Sequence, residues 1–253
     1  MLESMKGKAA LVTGGSTGIG LAAAQAFVRQ GAKVVIASRR IDLGEAAAHQ
    51  LRQQGGEALY VQADVSQSGM VDELIQQTLA AYGRLDYAFN NAGSGGRGGW
   101  LVDIAEADFD KTIEGFLKSV WLCMKAELKI MLEQGSGAIV NNSSVDGQRA
   151  FPDDPVYSAA KHGVLGLTKS AALQYARRSI RINAVCPGWI RTPPTEDWIK
   201  ADPSVEARML AHQPVGRLGT AEEVGNAVVW LCSDQASLIT GTALAVDGGY
   251  LAV

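Results

Sequence analysis

The sequence predicts an α/β protein built as one domain around a doubly wound parallel sheet of seven strands, with helices on both faces. Short β-branched runs alternate with longer helical patterns almost to the C-terminus, which is typical of right-handed β-α-β units. Several of the runs are apolar throughout, as expected for strands covered on both faces. No composition shift or linker divides the 253 residues, so we expect one domain over residues 1–253.

Each strand is assigned from a β-branched or apolar run, and each helix from a longer helical pattern between such runs. The predicted strands are 9–13, 33–37, 58–63, 85–90, 137–142, 180–185 and 242–246. The predicted helices are 18–30, 43–54, 68–82, 106–134, 155–178 and 221–233. One long interruption, at about 190–218, contains four prolines and a short helical candidate. Because loops of that length are usually functional, we expect a substrate lid there.

Composition and charge exclude several classes of protein. Acidic residues number 26 against 23 basic ones, a formal net charge of −3, which argues against nucleic acid as a partner because phosphate binding favours a basic surface. No apolar run approaches the roughly 20 residues that span a bilayer, and the N-terminus lacks the long apolar region of a signal peptide. The three cysteines are far apart and lack metal-ligand spacing. We therefore expect free buried thiols, no metal site, no membrane association and a cytoplasmic protein.

A glycine-rich turn lies between the first predicted strand and the first predicted helix. Residues 13–20 read Thr-Gly-Gly-Ser-Thr-Gly-Ile-Gly. Glycine lets the backbone turn tightly and lets a pyrophosphate approach, and the helix N-terminus offers free N–H groups to the phosphates. Such a turn can be merely structural, but its strand-turn-helix setting favours a dinucleotide site. The cofactor-binding residues predicted here are Gly14, Ser16, Thr17, Gly18, Ile19 and Gly20.

The end of the second strand indicates which dinucleotide binds. An NAD-specific site usually has Asp or Glu here to accept hydrogen bonds from the ribose 2′-OH. The chain instead has Ser38, Arg39 and Arg40, and two guanidinium groups can hold a 2′-phosphate through charge-assisted hydrogen bonds. The alternative is that both arginines are solvated charges at a strand end. We predict NADP(H) in preference to NAD(H).

A tyrosine and a lysine lie four residues apart on the fifth predicted helix. At this spacing Tyr157 and Lys161 share one helix face, and a nearby ammonium group should lower the phenol pKa from about 10 toward neutrality. Such a tyrosine can exchange a proton with an alcohol or carbonyl oxygen. Ser144, at the end of the fifth strand, could hydrogen-bond the same oxygen. Alone, the Tyr–Lys pair is common on helix surfaces, so its meaning depends on the rest of the chain.

With these residues the chain closely resembles the classical short-chain dehydrogenase/reductase family, which has a Rossmann-like fold. The resemblance covers essentially the whole chain, and its motifs occur in family order and at family spacing. Further matching segments are Asp64-Val65, Asn90-Asn91-Ala92-Gly93, Pro187-Gly188-Trp189-Ile190-Arg191-Thr192 and Val246-Asp247-Gly248-Gly249.

The resemblance implies an enzyme that moves a hydride between a nicotinamide and the carbonyl carbon of a small ketone or aldehyde. It implies that Tyr157 moves the proton, that Ser144 polarises the carbonyl and that Lys161 also bonds the nicotinamide ribose. It further implies that the adenine contacts Asp64 and Val65 and that Asn91, Ala92 and Gly93 line the cofactor. The residues expected near the nicotinamide are Pro187, Gly188, Ile190 and Thr192.

Two expectations concern the surroundings of this site. We expect the substrate to contact Trp189 in addition to the serine and the tyrosine, although ordinary packing explains a tryptophan there as well. The resemblance also implies a homotetramer that uses the fourth and fifth helices and the C-terminal strand. The apolar residues that suit such an interface, or alternatively the core of one protomer, are Trp121, Leu122, Leu128, Val164, Leu165 and Leu167.

One position departs from the family pattern. Family members usually have an asparagine in the long fourth helix, where it anchors a water in the proton relay. Here Phe116 occupies that position, and no asparagine occurs between Asn91 and Asn141. Either another polar group rebuilds the relay, with Ser119 the candidate, or turnover is slowed. The competing hypothesis is therefore a catalytically weakened, NADP(H)-binding regulatory or scaffold protein, although a retired enzyme has no reason to keep the serine, tyrosine and lysine.

Overall fold

Strands and helices alternate along the computed structural model, which describes residues 5–253. Residues 1–4 of the predicted domain lie outside the described residues. The strands are β1 (Ala9–Thr13), β2 (Lys33–Ser38), β3 (Ala58–Gln62), β4 (Tyr87–Asn90), β5 (Gly137–Asn142), β6 (Ile180–Pro187), β7 (Ile190–Arg191), β8 (Gly219–Thr220) and β9 (Ala243–Val246). The α-helices are α1 (Gly18–Arg29), α2 (Ile41–Gln53), α3 (Ser68–Tyr82), α4 (Glu106–Ile113), α5 (Ser119–Gln134), α6 (Pro155–Tyr175), α7 (Pro193–Ala201), α8 (Ser204–Leu210) and α9 (Ala221–Cys232). Within residues 5–253, every helix is too short or too polar to cross a bilayer.

Among the described residues, seven strands form one sheet in the order β3-β2-β1-β4-β5-β6-β9. Every neighbouring pair in this sheet is parallel. The chain moves outward from β1 to β3 and then returns to place β4 on the other side of β1. Doubly wound sheets bind ligands in the crevice that such a reversal opens at the carboxyl ends of the strands. The predicted fold class is confirmed.

Side chains of the central strands alternate between two buried layers, as the two-residue repeat of a strand requires. In β1, Ala10 and Val12 pack in the layer that contains Phe27 of α1 and the apolar side chains of α9. Leu11 lies in the opposite layer, together with Val164 of α6 and side chains of α3 and α5. Because helices cover both faces, all five residues of β1 are buried, which explains the apolar run in the sequence.

The apolar residues suggested for subunit contacts divide between core and surface. Leu122, Leu128, Val164 and Leu165 are at most 7% exposed and pack inside the protomer, so the prediction that they form an interface is wrong for these four. Their helices bury these side chains against the sheet or a neighbouring helix, because a helix that covers a sheet must bury its apolar stripe. Trp121, on another face of α5, is 45% exposed.

The long helix predicted at 106–134 is present, but it is not α-helical throughout. A π-helical turn, Glu114–Lys118, separates α4 from α5. Such turns are frequently found at functional sites. Next to it, Ser119 Oγ donates to the carbonyl oxygen of Gly115 at 2.8 Å. The sequence predicted one helix because a single wider turn hardly changes the apolar repeat.

The region predicted as a lid contains more regular structure than its sequence indicated. The strands β7 and β8 pair and tie its two ends together, with Gly219 N donating to Trp189 O at 2.9 Å. Arg191, the last residue of β7, forms ion pairs with Glu196 of α7 and, at 2.6 Å, with Glu206 of α8. A strand of two residues has no recognisable alternation, so the sequence predicted only a short helix in this region.

Candidate active site

A cleft of about 700 Å³ opens where the strand order reverses, at the carboxyl ends of the strands. Most of the predicted cofactor residues line it: Gly14, Ser16, Thr17, Gly18, Ile19, Ser38, Arg39, Arg40, Asp64, Val65, Asn91, Ala92, Gly93 and Thr192. Six others are not part of its lining: Gly20, Tyr157, Lys161, Pro187, Gly188 and Ile190. Lys111, Glu114 and Gly115 also line the cleft. Sequence reasoning missed these three because they occur inside a helical pattern, although a glycine there is a signal of irregularity.

The glycine turn after β1 is shaped for close approach to its backbone. Gly14 has φ +65°, a left-handed conformation that glycine adopts without strain. A Cβ on Gly20 would lie 2.2 Å from the carbonyl oxygen of Gly14, so only glycine fits there. Asn91 braces the turn by donating to the same oxygen at 3.3 Å, and Asn142 donates in turn to Asn91 Oδ1 at 2.9 Å. The first turn of α1 contains no acidic residue, which leaves the positive end of the helix dipole available to an anion.

Two arginines lie at the end of the cleft formed by β2. Arg39 and Arg40 are both exposed and both line the cleft. Ser38, which lines the cleft beside them, donates from its hydroxyl to Arg40 O at 3.3 Å. Burial alone would raise the pKa of Asp64, but hydrogen bonds from Ser66 and the charge of Arg39 outweigh burial and lower it. This part of the cleft therefore combines two cations with one ionised acceptor.

The three predicted catalytic side chains meet where the end of β5 faces α6. Lys161 Nζ donates to the carbonyl oxygen of Asn142 at 2.7 Å and lies 5.5 Å from the centroid of the Tyr157 ring. The hydroxyl of Ser144 lies close enough to the Tyr157 phenol to act on its pKa. Ser143 Oγ donates to the carbonyl oxygen of Lys161 at 3.0 Å, so the loop after β5 is fixed directly to α6. The chain thus holds a hydroxyl, a phenol and an ammonium group together.

The protonation of Tyr157 differs from the expectation. The sequence predicts that Lys161 lowers the pKa of the phenol, and this is wrong for the chain by itself. Burial of the phenol raises its pKa, and the Ser144 hydroxyl opposes this shift only in part. Burial also lowers the pKa of Lys161 to about 8, because an ammonium group loses hydration inside the protein. Tyr157 is therefore held as a neutral phenol, the form that can donate a proton.

Phe116 packs into this group from the π-helical turn. Its ring meets the ring of Tyr157 edge-to-face, with centroids 4.9 Å apart and an interplanar angle of 86°. Lys161 Nζ lies 4.9 Å from the centroid of the Phe116 ring. A Cβ on Gly93 would lie 2.4 Å from Phe116 Cε1, so the ring also fills the space against the chain that follows β4. The departure from the family pattern therefore lies directly against the predicted catalytic residues.

One acidic residue that sequence reasoning missed lies beside the serine. Asp146 N donates to Ser144 Oγ at 3.1 Å, and the Asp146 carboxyl group lies near the same hydroxyl, which acts to lower its pKa. Burial raises the pKa of this carboxyl group to about 6, and the charge of Asp154 adds to the shift. The sequence offered one signal, which is a carboxylate two residues after Ser144.

Trp189, predicted to contact the substrate, lies at the start of the lid. Its ring meets Phe151 edge-to-face, with centroids 6.2 Å apart. Its backbone N–H donates to Gln213 Oε1 at 2.8 Å, and its carbonyl oxygen accepts from Gln213 Nε2 at 3.2 Å. Gln213 is buried. The start of the lid is therefore anchored, and the aromatic pair joins it to the loop before α6.

Known proteins resemble this chain over its whole length. A family model described as enoyl-(acyl carrier protein) reductase matches residues 14–251. The 2,5-dichloro-2,5-cyclohexadiene-1,4-diol dehydrogenase of Sphingobium indicum is 39% identical over 253 residues, and the alignment covers 100% of both chains. The cis-4-hydroxycyclohexanecarboxylate dehydrogenase of Sinomonas cyclohexanicum is 43% identical over 256 residues, again with 100% of both chains covered. A crystal structure provisionally described as a 2-deoxy-D-gluconate 3-dehydrogenase of Agrobacterium tumefaciens, with bound NADP, has a TM-score of 0.90 and 35% identity, covering 99% of this chain and 98% of that one.

These matches agree with the sheet order and with the glycine turn at the carboxyl end of β1. The relatives are named as dehydrogenases, and their sequences align with this chain from end to end. The chain therefore belongs to the classical short-chain dehydrogenase/reductase family and is an oxidoreductase.

Proposed function

We propose that this protein uses NADP(H) to interconvert a ketone or aldehyde and the corresponding alcohol, with Tyr157 as the proton donor. The observation that carries the proposal is the contact of Tyr157 with Ser144 and Lys161 beside a cleft that contains two arginines, Arg39 and Arg40. Phe116 is the one feature that favours a weakened, regulatory protein instead.

The cleft fits an extended dinucleotide. The tight glycine turn and the uncapped start of α1 would hold the pyrophosphate, and Asp64 and Val65 would hold the adenine. Arg39 and Arg40 would bind the 2′-phosphate, since forked guanidinium groups match phosphate oxygens. The rest of the cofactor would lie along four residues that line the cleft, Asn91, Ala92, Gly93 and Thr192. The nicotinamide end would lie in front of Pro187, Gly188 and Ile190. Bound NADPH supplies the hydride, and the protein supplies position and a proton.

The three polar side chains divide the remaining work. Ser144 would hydrogen-bond the carbonyl oxygen and so polarise it toward attack. Tyr157, held neutral by burial of its phenol, would give its proton to the oxygen as the alcohol forms. Lys161, tied to Asn142 O, would bond the nicotinamide ribose and stabilise the phenolate that remains.

We infer that the substrate contains an apolar ring. Both relatives are named for substrates with a six-membered carbon ring. In this chain the aromatic pair of Trp189 and Phe151 would contact the apolar part of such a ring, because ligand pockets are lined mainly by apolar groups around a few polar ones.

We also propose a cytoplasmic homotetramer. The three cysteines are buried and unpaired, which suits a reducing compartment. Trp121 and Leu132 of α5 and Leu173 of α6 are 45%, 41% and 84% exposed, and an interface along these helices would cover them. Sedimentation at micromolar concentration should give a species of four times 26.6 kDa; a stable monomer would contradict the assembly.

The test of the proposed function is a substrate panel with the purified protein. We expect oxidation of NADPH with cyclohexanones, faster than with open-chain ketones of equal carbon number, and much slower reaction when NADH replaces NADPH. Tight NADPH binding without turnover on any cyclic or open-chain carbonyl compound would support the regulatory alternative. Failure to bind either dinucleotide would reject both.

A further inference from the structure

Phe116 closes one approach to Tyr157. The ring lies edge-to-face against the phenol and under the Lys161 ammonium group, where it excludes water. Lys161 directs a hydrogen bond to the carbonyl oxygen of Asn142. Ser119, the other candidate for a relay, directs its only proton to Gly115 O at 2.8 Å. On this side of the phenol, the Phe116 ring is apolar and the Ser119 hydroxyl is already engaged, whereas Lys161 retains donors for the nicotinamide ribose.

The hydroxyl of Ser144 connects Tyr157 to a carboxyl group. The hydroxyl of Ser144 lies beside the Tyr157 phenol and the Asp146 carboxyl group, and it acts to lower the pKa of both. The backbone N–H of Asp146 occupies a lone pair of Ser144 Oγ at 3.1 Å, which holds the serine close to this carboxyl group. The serine has one proton and two neighbouring oxygen acceptors. The hydroxyl can therefore transfer a proton between Asp146 and Tyr157, because it can accept a proton from one group while it donates its own to the other.

We propose that Asp146 restores the proton of Tyr157 through the hydroxyl of Ser144, in place of a relay past Phe116. The inference rests on the proposed function and deepens it by assigning the source of the proton. Asp146 is only half-buried, so its carboxyl group can exchange protons with water, whereas Ser144 is 7% exposed.

The proton balance is complete in the direction of carbonyl reduction. A hydride from NADPH forms the new C–H bond, and the O–H bond of Tyr157 breaks as its proton joins the substrate oxygen. Once the substrate oxygen has taken the proton of Tyr157, the Ser144 hydroxyl turns from that oxygen to the Tyr157 oxygen, gives it its proton and takes the proton of the Asp146 carboxylic acid. A proton from water then restores Asp146. In alcohol oxidation every transfer is reversed, and the Asp146 carboxylate accepts the proton.

The surroundings of Asp146 suit this exchange. Burial and the charge of Asp154 favour the protonated carboxyl group, whereas His162 and Lys161 on α6 favour the carboxylate. Near the C-terminus, burial raises the pKa of Tyr250, and the charge of Asp146 adds to this shift. The result for Asp146 is a pKa of about 6, at which both protonation states are populated close to neutral pH.

The proposal predicts opposite pH dependences for the two directions. Reduction requires the protonated form of Asp146, so its kcat should fall as pH rises through about 6. Oxidation requires the carboxylate, so its kcat should rise over the same range. Asp146→Asn keeps the size and the backbone N–H but has no exchangeable acid. It should lower kcat by at least about tenfold, with KM little changed, and abolish both transitions.

Two further variants separate a relay from a structural role. Asp146→Ala should regain turnover in proportion to added formate, because a small free acid can replace the missing carboxyl group. Asp153→Asn is the matched control, since Asp153 is an exposed carboxylate in the loop before α6, and its kinetics should equal those of the wild type. Asp146→Asn with wild-type kcat and an unchanged pH profile would overturn the proposal, as would absence of rescue by formate.

A measurement without turnover distinguishes failure of this inference from failure of the proposed function. The infrared C=O band of protonated Asp146, identified by its loss in Asp146→Asn, should titrate near pH 6. Its midpoint should shift in Ser144→Ala and in Tyr157→Phe, because both remove part of the relay. A wild type inactive on all carbonyl compounds would contradict the proposed function. A midpoint unchanged in both variants would overturn the link between Asp146 and Tyr157 independently of activity.

Discussion

Glu127 and Asn90 form a hydrogen-bonded pair inside the protein, under the carboxyl ends of β4 and β5. Asn90 Nδ2 donates to Glu127 Oε2 at 3.0 Å and to Asn141 Oδ1 at 3.0 Å. Glu127 is 0% exposed, and neither Glu127 Oε1 nor Asn90 Oδ1 has a hydrogen-bond partner. Burial raises the pKa of Glu127 to about 7, against the hydrogen bond from Asn90. Protonation of Glu127 avoids a charge in the interior of the protein. It also supplies an O–H donor in a region where buried oxygen acceptors have no hydrogen-bond partner.

We expect Glu127 to make the protein less stable as pH rises from acid to neutral. Its folded pKa of about 7 lies above its usual value of 4.5, so the folded state binds the extra proton between these values. The stabilisation is complete below about pH 4.5 and is lost as pH rises to about 7, at about 1.4 kcal/mol per pH unit and about 3 kcal/mol in all. Glu127→Gln retains a donor and an acceptor without the charge and should remove this dependence.

The measurement is the free energy of unfolding by urea at several pH values between about 5 and 8. The wild type should lose stability relative to Glu127→Gln as pH rises. Glu133→Gln, an exposed position on the same helix, should follow the wild type. Parallel curves for wild type and Glu127→Gln would mean that Glu127 is not protonated in the folded protein.

Replacing Arg39 and Arg40 with alanine should weaken the binding of NADPH much more than the binding of NADH. Only NADPH has the 2′-phosphate, and losing charge-assisted hydrogen bonds of about 1.5–3 kcal/mol predicts roughly a 10- to 100-fold higher Kd. Both dissociation constants can be measured by titration of cofactor fluorescence. Arg178→Ala, at an exposed position after α6, should change neither. An equal rise in both dissociation constants would show that the arginines do not bind the 2′-phosphate.

Tyr157→Phe should cut turnover by at least about 10²-fold, the low end of general acid catalysis, because the ring stays but the proton is lost. The NADPH dissociation constant should remain close to that of the wild type. Tyr175→Phe provides the same change farther along α6 and should leave turnover unaltered. Normal turnover of Tyr157→Phe on its best substrate would remove Tyr157 as the proton donor.

The features that the sequence predicted correctly are local in the chain. The apolar run of β1, the glycine turn and the start of α1 are consecutive, so their periodicity and spacing indicate both the fold and one side of the cleft. The pairing of Tyr157 with Lys161 follows from helix geometry alone. The local sequence pattern is therefore sufficient to predict a feature that is formed by residues close together in the chain.

The features that the sequence missed depend on packing between distant segments. The pKa of Tyr157 is set by burial against other elements rather than by the lysine four residues away. Glu127 resembles an ordinary surface acid in the sequence, and only the fold brings it to Asn90. Asp146 lies two residues after Ser144, but the burial that raises its pKa depends on the fold. The contact of Phe116 with the phenol depends on a π-helical turn that the apolar repeat does not reveal.

The last prediction concerns Phe116→Asn, which places an amide where the aromatic ring packs on Tyr157. The change removes an edge-to-face contact worth about 0.5–1.5 kcal/mol and leaves space that water can fill. Phe116 is half-buried, so the loss of stability should stay below the roughly 3–5 kcal/mol of a fully buried Phe→Ala change. We expect a lower Tm together with equal or higher turnover, because the amide can anchor a water and open a second proton path.

The double variant Phe116→Asn/Asp146→Asn tests whether one proton path can replace the other. If Asp146 supplies the proton only because Phe116 closes the other path, then Phe116→Asn should recover part of the turnover that Asp146→Asn loses. Phe116→Leu is the matched control, since leucine opens space without a polar anchor and should recover nothing. Ser119→Ala should leave turnover unchanged, because its hydroxyl is engaged with Gly115. A collapse of turnover in Phe116→Asn alone, with Tm and NADPH affinity retained, would instead make the ring a working part of the active site.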